Sequence, residues 1–127
     1  MGNLMQREGY HPGLIISSPA KRARLTAEIL KEAGKFDSNI RFQPEIYEAS
    51  PHTLRNIVAK FDDSFSSPLV IGHNPGIEGF IHYLTGHLEP IPTAALAIID
   101  LEIDSWQAID VASGSLRKIY RPREEMR

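Results

Sequence analysis

The sequence predicts an α/β fold in which a mostly parallel β-sheet carries helices on both faces, a three-layer arrangement. Two observations support this prediction. A short apolar run, a turn and an amphipathic segment with helical spacing follow one another repeatedly along the chain. The final two apolar runs, in residues 93–103 and 113–122, indicate strands that can pair antiparallel at the end of the fold.

Length and composition limit the classes of protein that the chain can belong to. With 127 residues, 42% of them hydrophobic, we expect a single domain that spans residues 1–127. The formal charge of −2 argues against nucleic acid as a partner, and the lack of cysteine excludes disulfides, thiolate metal sites and cysteine nucleophiles. No apolar run approaches the roughly 18 residues of a membrane span. We therefore expect a soluble, cytoplasmic protein that does not act on membranes.

The first occurrence of this pattern of apolar run, turn and helical segment begins with a predicted buried strand at Leu14–Ile16. Ser18 is the candidate N-cap of the following helix, Pro19 occupies its first position, and Gly34 marks its end.

The next two helices have similar start signals. Ser50 and Pro51 begin a segment whose apolar residues recur at helical spacing. After the apolar run Leu69–Ile71, Asn74 is the candidate cap of a third helix that should end near Gly86.

Two strand-to-helix connections carry side chains suited to binding an anion. Lys21, Arg22 and Arg24 lie in the first turns of a predicted helix, where the helix dipole disfavours cations unless an anion is nearby. His73 follows the strand Leu69–Ile71 directly. Because ligands collect at the carboxyl ends of parallel strands, Arg22 and His73 outline a phosphate site if the two connections adjoin.

The same residues also have structural explanations. The three cations could form a solvated helix face, and His73 could be a hydrogen-bonded residue at a strand end. His82 and His87 lie about 140° apart around a helix axis, so a metal site with Glu78 as a third ligand is not expected. Asp100 and Glu102 are interpreted as the polar face of a strand.

Four stretches of the sequence resemble a known family. They are "GYHPGLIISSPAKRARLTAEIL", "IYEASPHTL", "LVIGHNPGIEGFIHYLTG" and "IPTAALAIIDLEIDSW", and together they cover most of residues 1–120. The family is the phosphoglycerate mutase-like histidine phosphatase superfamily, and within it the small SixA-type phosphohistidine phosphatases. The resemblance implies a histidine phosphatase-like fold and metal-independent phosphoryl chemistry that needs no cofactor.

The resemblance also implies roles for individual residues. Arg22 matches the arginine that clamps the phosphoryl group, and His73 matches the second active-site histidine. Glu48 lies near the position of a proton donor in many members of the superfamily, and Ser18 and Asn74 would support phosphate binding.

One motif of the family has no counterpart in this sequence. Members begin with an apolar strand that ends in Arg-His-Gly or Arg-His-Ala, and its histidine becomes phosphorylated. His11 cannot replace that residue, because it precedes a different strand and lacks the flanking arginine. By the resemblance, the first strand is missing from its place between the strand that contains "LVIGH" and the strand that contains "AALAIIDL". We therefore expect one of two outcomes: the neighbouring strands move together and close the gap, or a strand from a partner or from another copy of the chain fills it.

These observations predict a phosphohistidine phosphatase-like protein that acts on a phosphorylated protein and lacks its nucleophile. Two alternatives remain open. One is a phosphomonoesterase of the same superfamily that acts on a small phosphate ester. The other is a non-catalytic module that binds phosphate or a phosphoprotein through Arg22 and His73.

Overall fold

A computed structural model describes residues 1–92 and 94–121, which form two compact units. The first unit comprises residues 1–47 and 64–73. The second comprises residues 48–63 and the described part of the chain from residue 74 onward. That residues 1–127 form a single domain stays a prediction. Among the described residues, every helix is too short or too polar to cross a bilayer.

The first unit contains two helices, three strands and one short 3₁₀ turn. In chain order these are α1 (Gly2–Arg7), β1 (Leu14–Ser17), α2 (Lys21–Gly34), β2 (Ile40–Phe42), the 3₁₀ turn Pro44–Ile46 and β3 (Pro68–Ile71).

The three strands form a parallel sheet in the order β2-β1-β3. All four residues of the central strand β1 are buried, which explains why its sequence is a continuous apolar run rather than an alternating one. Helix α2 packs on β1 and β3 through its small buried residues, which include Ala23 and Ala27. The parallel sheet and its packed helix confirm the predicted α/β class.

The start of α2 differs from the prediction, whereas its end at Gly34 agrees with it. The helix begins at Lys21 instead of Pro19, and Ser18 is not its N-cap. The reason is that the Ser18 backbone N–H donates to Ile71 O at 3.0 Å, which continues the pairing between β1 and β3 beyond the strand end. At the other end Gly34 is the last helical residue, and Lys35 takes the left-handed conformation with φ 56°.

The second unit contains two helices followed by a two-stranded sheet. Its elements are α3 (Pro51–Ala59), α4 (Gly76–Thr85), β4 (Leu96–Leu101), the 3₁₀ turn Trp106–Ala108 and β5 (Gly114–Tyr120). Strands β4 and β5 are antiparallel, as the sequence predicts, and α3 packs against α4.

The predicted start of α3 is confirmed, whereas the predicted start of α4 lies one residue before the observed one. Ser50 Oγ accepts a hydrogen bond from Thr53 N at 3.2 Å and caps α3. Helix α4 begins at Gly76 with Pro75 in the N-cap position. Asn74 Oδ1 accepts from Glu78 N, four residues further on, so Asn74 caps the first turn from one position earlier than expected. The helix ends before Gly86, which is left-handed with φ 79°.

Candidate functional site

The carboxyl ends of β1 and β3 lie next to each other in the first unit. Ser17 is the register partner of Ile71, and both are the last residues of their strands. The segment that leads into α2 and the segment Gly72-His73 therefore leave the sheet side by side. The sequence left open whether these two connections adjoin, and the parallel register answers that question.

Two buried serines lie where β1 ends and the chain continues towards α2. Ser17 and Ser18 are both fully buried. Ser17 Oγ donates to Ser18 O at 2.8 Å, and Ser18 Oγ accepts from Ala20 N at 3.2 Å. Because both hydroxyl groups are engaged by nearby backbone, they fix the path of the chain from β1 into α2.

Arg22 lies in the first turn of α2 and is exposed. Its guanidinium has neither a hydrogen bond nor an ion pair with any residue in 1–92 and 94–121. Arg24, by contrast, places its guanidinium 5.2 Å from the centre of the Phe42 ring. Of these two arginines, Arg22 is thus the one whose charge and donors remain available to an anion at the helix start.

His73 follows β3 and is half-buried. Its Nε2 atom is buried and has no hydrogen-bond partner within the described part of the chain. A buried polar atom without a partner costs on the order of 1–3 kcal/mol, and a ligand, ion or water molecule bound to Nε2 would remove this cost. The chemistry of this nitrogen suits a bond to an oxyanion when the imidazole is protonated.

Tyr47 is a neighbour of His73 that the sequence did not single out. The two rings meet edge to face, with their centres 5.5 Å apart, and Tyr47 is 57% exposed. Tyr47 precedes Glu48 in the stretch "IYEAS", which matches the resembled family. Nothing in the spacing of that stretch could have indicated that its ring reaches the end of β3.

Glu48 and Asn74 belong to the second unit. Glu48 is exposed and has a positive φ of 54°. The Asn74 side chain donates from Nδ2 to Ile91 O at 2.6 Å, and its Oδ1 accepts from Glu78 N at 3.3 Å. Both polar atoms of Asn74 are thus engaged by backbone, and its local role is to hold the start of α4 to the segment around Ile91.

The histidines of α4 and the segment after it do not assemble a metal site. No group of three or more histidine, aspartate or glutamate side chains within residues 1–92 and 94–121 could hold a metal ion. Glu78, the third ligand considered from the sequence, uses Oε1 to accept from Ile91 N at 2.8 Å.

Two curated proteins are similar to the chain in sequence. An uncharacterized chloroplastic protein of Arabidopsis thaliana is 27% identical over an alignment of 124 residues, and this alignment covers 90% of this chain and 56% of that protein. An uncharacterized protein of Mycobacterium leprae is 25% identical over an alignment of 119 residues, and this alignment covers 86% of this chain and 71% of that protein. The chain thus spans little more than half the length of the first of these relatives. No protein-family model matches the sequence.

Three solved structures share the fold. A SixA protein histidine phosphatase complexed with tungstate has a TM-score of 0.83 at 20% identity, over 98% of this chain and 78% of that one. The putative SixA of Agrobacterium tumefaciens gives 0.79 at 25% identity, over 95% and 75% of the two chains. The putative SixA of Nakamurella multipartitia gives 0.78 at 18% identity, over 95% and 79%.

Proposed function

We propose that this chain, which has the fold of the SixA-type histidine phosphatases, binds the phosphoryl group of a phosphohistidine-bearing protein beside Arg22 and His73. The observation that carries the proposal is the parallel register of β1 and β3. It brings the segment leading to Arg22 and the residue His73 to one edge of the sheet, where anions bind in α/β folds. The tungstate bound to one of the similar structures supports the proposal, because tungstate is a tetrahedral oxyanion like phosphate.

The roles of the two side chains follow from their donors. The guanidinium of Arg22 presents parallel N–H groups that match two equatorial oxygens of a phosphoryl group. A protonated His73 would donate from Nε2 to a third oxygen and neutralise part of the charge that spreads over these oxygens during transfer. Ser17 and Ser18 act indirectly, because they hold the backbone that leads into α2. The roles of Glu48 as a proton donor and of Asn74 as support for the phosphate are proposed from the family resemblance.

Catalysis requires a nucleophile that this sequence does not provide. In the reaction we propose for the complete site, a histidine nitrogen forms a bond to phosphorus while the bond from phosphorus to the substrate imidazole breaks. Water then cleaves the resulting phosphohistidine and releases inorganic phosphate. None of the five histidines of the chain has the Arg-His-Gly context of the resembled family. This absence favours a second candidate function for the chain alone, a phosphate-binding module without turnover.

Arg22→Ala and Lys21→Ala provide a matched test of the anion site. Both residues are exposed in the first turn of α2, so neither change should disturb the fold. Loss of the Arg22 bonds should weaken tungstate binding about tenfold or more, whereas Lys21→Ala should change it by less than about threefold. Isothermal titration calorimetry measures both. Equal effects of the two changes would contradict the assignment of Arg22.

Measurement of phosphate release distinguishes the binding module from the phosphomonoesterase. A histidine-phosphorylated protein and p-nitrophenyl phosphate are offered to the chain as substrates. Release from neither substrate, together with Arg22-dependent tungstate binding, supports the binding module for the chain alone. Release from p-nitrophenyl phosphate in preference to the phosphoprotein would support the phosphomonoesterase instead.

A further inference from the structure

The exposed face of α2 that begins at Arg22 continues with two large apolar side chains. Leu25 is 46% exposed and Ile29 is 63% exposed. They lie three and seven residues after Arg22, so all three side chains fall within about 60° of one another around the helix axis. The residues that α2 buries, Ala23 and Ala27, lie on a different side. Leu25 and Ile29 therefore leave a large part of their apolar side chains open to solvent on this face.

The length of this face distinguishes between kinds of substrate. Ile29 lies roughly 10 Å along the helix from Arg22, since each residue rises about 1.5 Å. A small phosphate ester held at Arg22 would not reach Ile29. A folded protein that presents a phosphorylated side chain at Arg22 would cover both apolar residues.

We infer that Arg22, Leu25 and Ile29 form a docking face for a protein whose phosphohistidine is flanked by exposed apolar side chains. The inference rests on the proposed phosphate site at Arg22. The charge pattern supports this occupant, because Arg22 at one end complements a phosphoryl dianion. The uncharged side chains further along complement an apolar surface, whose burial supplies affinity that a free phosphate ester lacks.

The test compares one phosphoprotein with its own phosphorylated amino acid. The probes are a purified histidine phosphotransfer protein with apolar side chains beside its phosphohistidine, phosphorylated with phosphoramidate, and free phosphohistidine. The variant is Leu25→Gln combined with Ile29→Gln, which keeps good helix-forming residues on an exposed face. Leu88→Gln is the matched control, because Leu88 is 81% exposed and belongs to the second unit.

The docking face predicts a selective loss. The double variant should bind the phosphoprotein at least about tenfold more weakly than the original chain. Its affinity for free phosphohistidine and for tungstate should stay unchanged, and Leu88→Gln should match the original chain with every probe. Equal phosphoprotein affinity in the double variant and the original chain would overturn the inference, as would an equal loss in Leu88→Gln.

Two further measurements separate this inference from its alternatives. Tungstate binding that does not depend on Arg22 would refute the proposed function itself, whereas intact Arg22-dependent binding with no effect of the double variant would refute only the docking face. Sedimentation velocity tests whether a second copy occupies the face. A dimer of the original chain that the double variant abolishes would overturn the inference in favour of self-association.

Discussion

The imidazole of His73 keeps a buried Nε2 atom without a hydrogen-bond partner among the described residues. We expect His73→Asn to preserve the fold, because the position is half-buried and a smaller polar side chain fits there. Tungstate affinity should fall about tenfold, since the variant loses the donor at Nε2. Calorimetry measures the affinity, and circular dichroism verifies the fold. Unchanged affinity would leave His73 with a structural role only.

A hydrogen bond from Tyr83 to Asp110 gives the second unit a pH-dependent contact. Tyr83 Oη donates to Asp110 Oδ1 at 2.7 Å, and this bond, together with a bond from Val111 N–H, lowers the pKa of Asp110. The same bond raises the pKa of Tyr83. Because the folded pKa of Asp110 lies below its unfolded value, the contribution to stability is present above the unfolded pKa. It is lost as the pH falls through the folded value.

Tyr83→Phe tests this linkage. Removal of the donor should raise the pKa of Asp110 towards its ordinary value, and an NMR titration of the Asp110 carboxyl group measures the change. Asp110→Asn is the companion variant and should make the stability of the chain less sensitive to acid. An Asp110 pKa that is the same with and without the Tyr83 hydroxyl would contradict the assignment.

At the scale of elements, the N-terminal cap of α3 makes a measurable contribution to the free energy of unfolding. Ser50 Oγ accepts from Thr53 N and satisfies one of the backbone donors that a helix start leaves free. Ser50→Ala should lower the free energy of unfolding by about 1 kcal/mol. Urea denaturation measures the difference. Ser66→Ala, in an exposed loop, is the control and should leave stability unchanged; an equal loss in both variants would argue against the cap.

Helix and strand signals in the sequence differ in how far they determine the structure. Residues 51–59 were predictable because the apolar spacing, the cap and the proline agree locally. The start of α2 was not, since a long-range hydrogen bond from Ser18 to Ile71 holds the chain extended. Strand β2 has three residues and no buried one, so it gives no periodic signal, and its pairing with β1 depends on the tertiary fold.

The candidate site, too, was predictable from the sequence only where local patterns determine it. Arg22 and His73 could be proposed from the residues around them, but whether the two segments that carry them adjoin depends on the pairing of β1 with β3, which no local pattern encodes. The contact of Tyr47 with His73 also depends on the tertiary path of the chain.

At the scale of the whole molecule, four strands have an open edge within the described residues: β2 and β3 in the first sheet, and β4 and β5 in the second. Strand β3 ends the sheet of the first unit and is half-exposed along its whole length, and β4 pairs on one side only, with β5. Open edges recruit further strands. We predict that the chain alone has little or no phosphatase activity. Addition of a segment with an apolar strand that ends in Arg-His-Gly should raise both its melting temperature and its activity.

Differential scanning fluorimetry and phosphate release from a histidine-phosphorylated protein test the added strand. A segment of the same length with Arg-Ala-Gly is the control, which should raise the melting temperature without restoring turnover. Robust turnover by the chain alone, with no phosphohistidine trapped on it, would show that the nucleophile lies elsewhere.

The left-handed conformation of Lys35 shows that the chain is not at its stability optimum. A residue with a side chain carries strain of order 1 kcal/mol at a backbone φ of 56°, and glycine at the same position avoids it. Natural sequences tolerate such costs as long as the folded state stays above the threshold that selection maintains. Replacement of Lys35 by glycine should therefore raise the free energy of unfolding without any change to the proposed phosphate site.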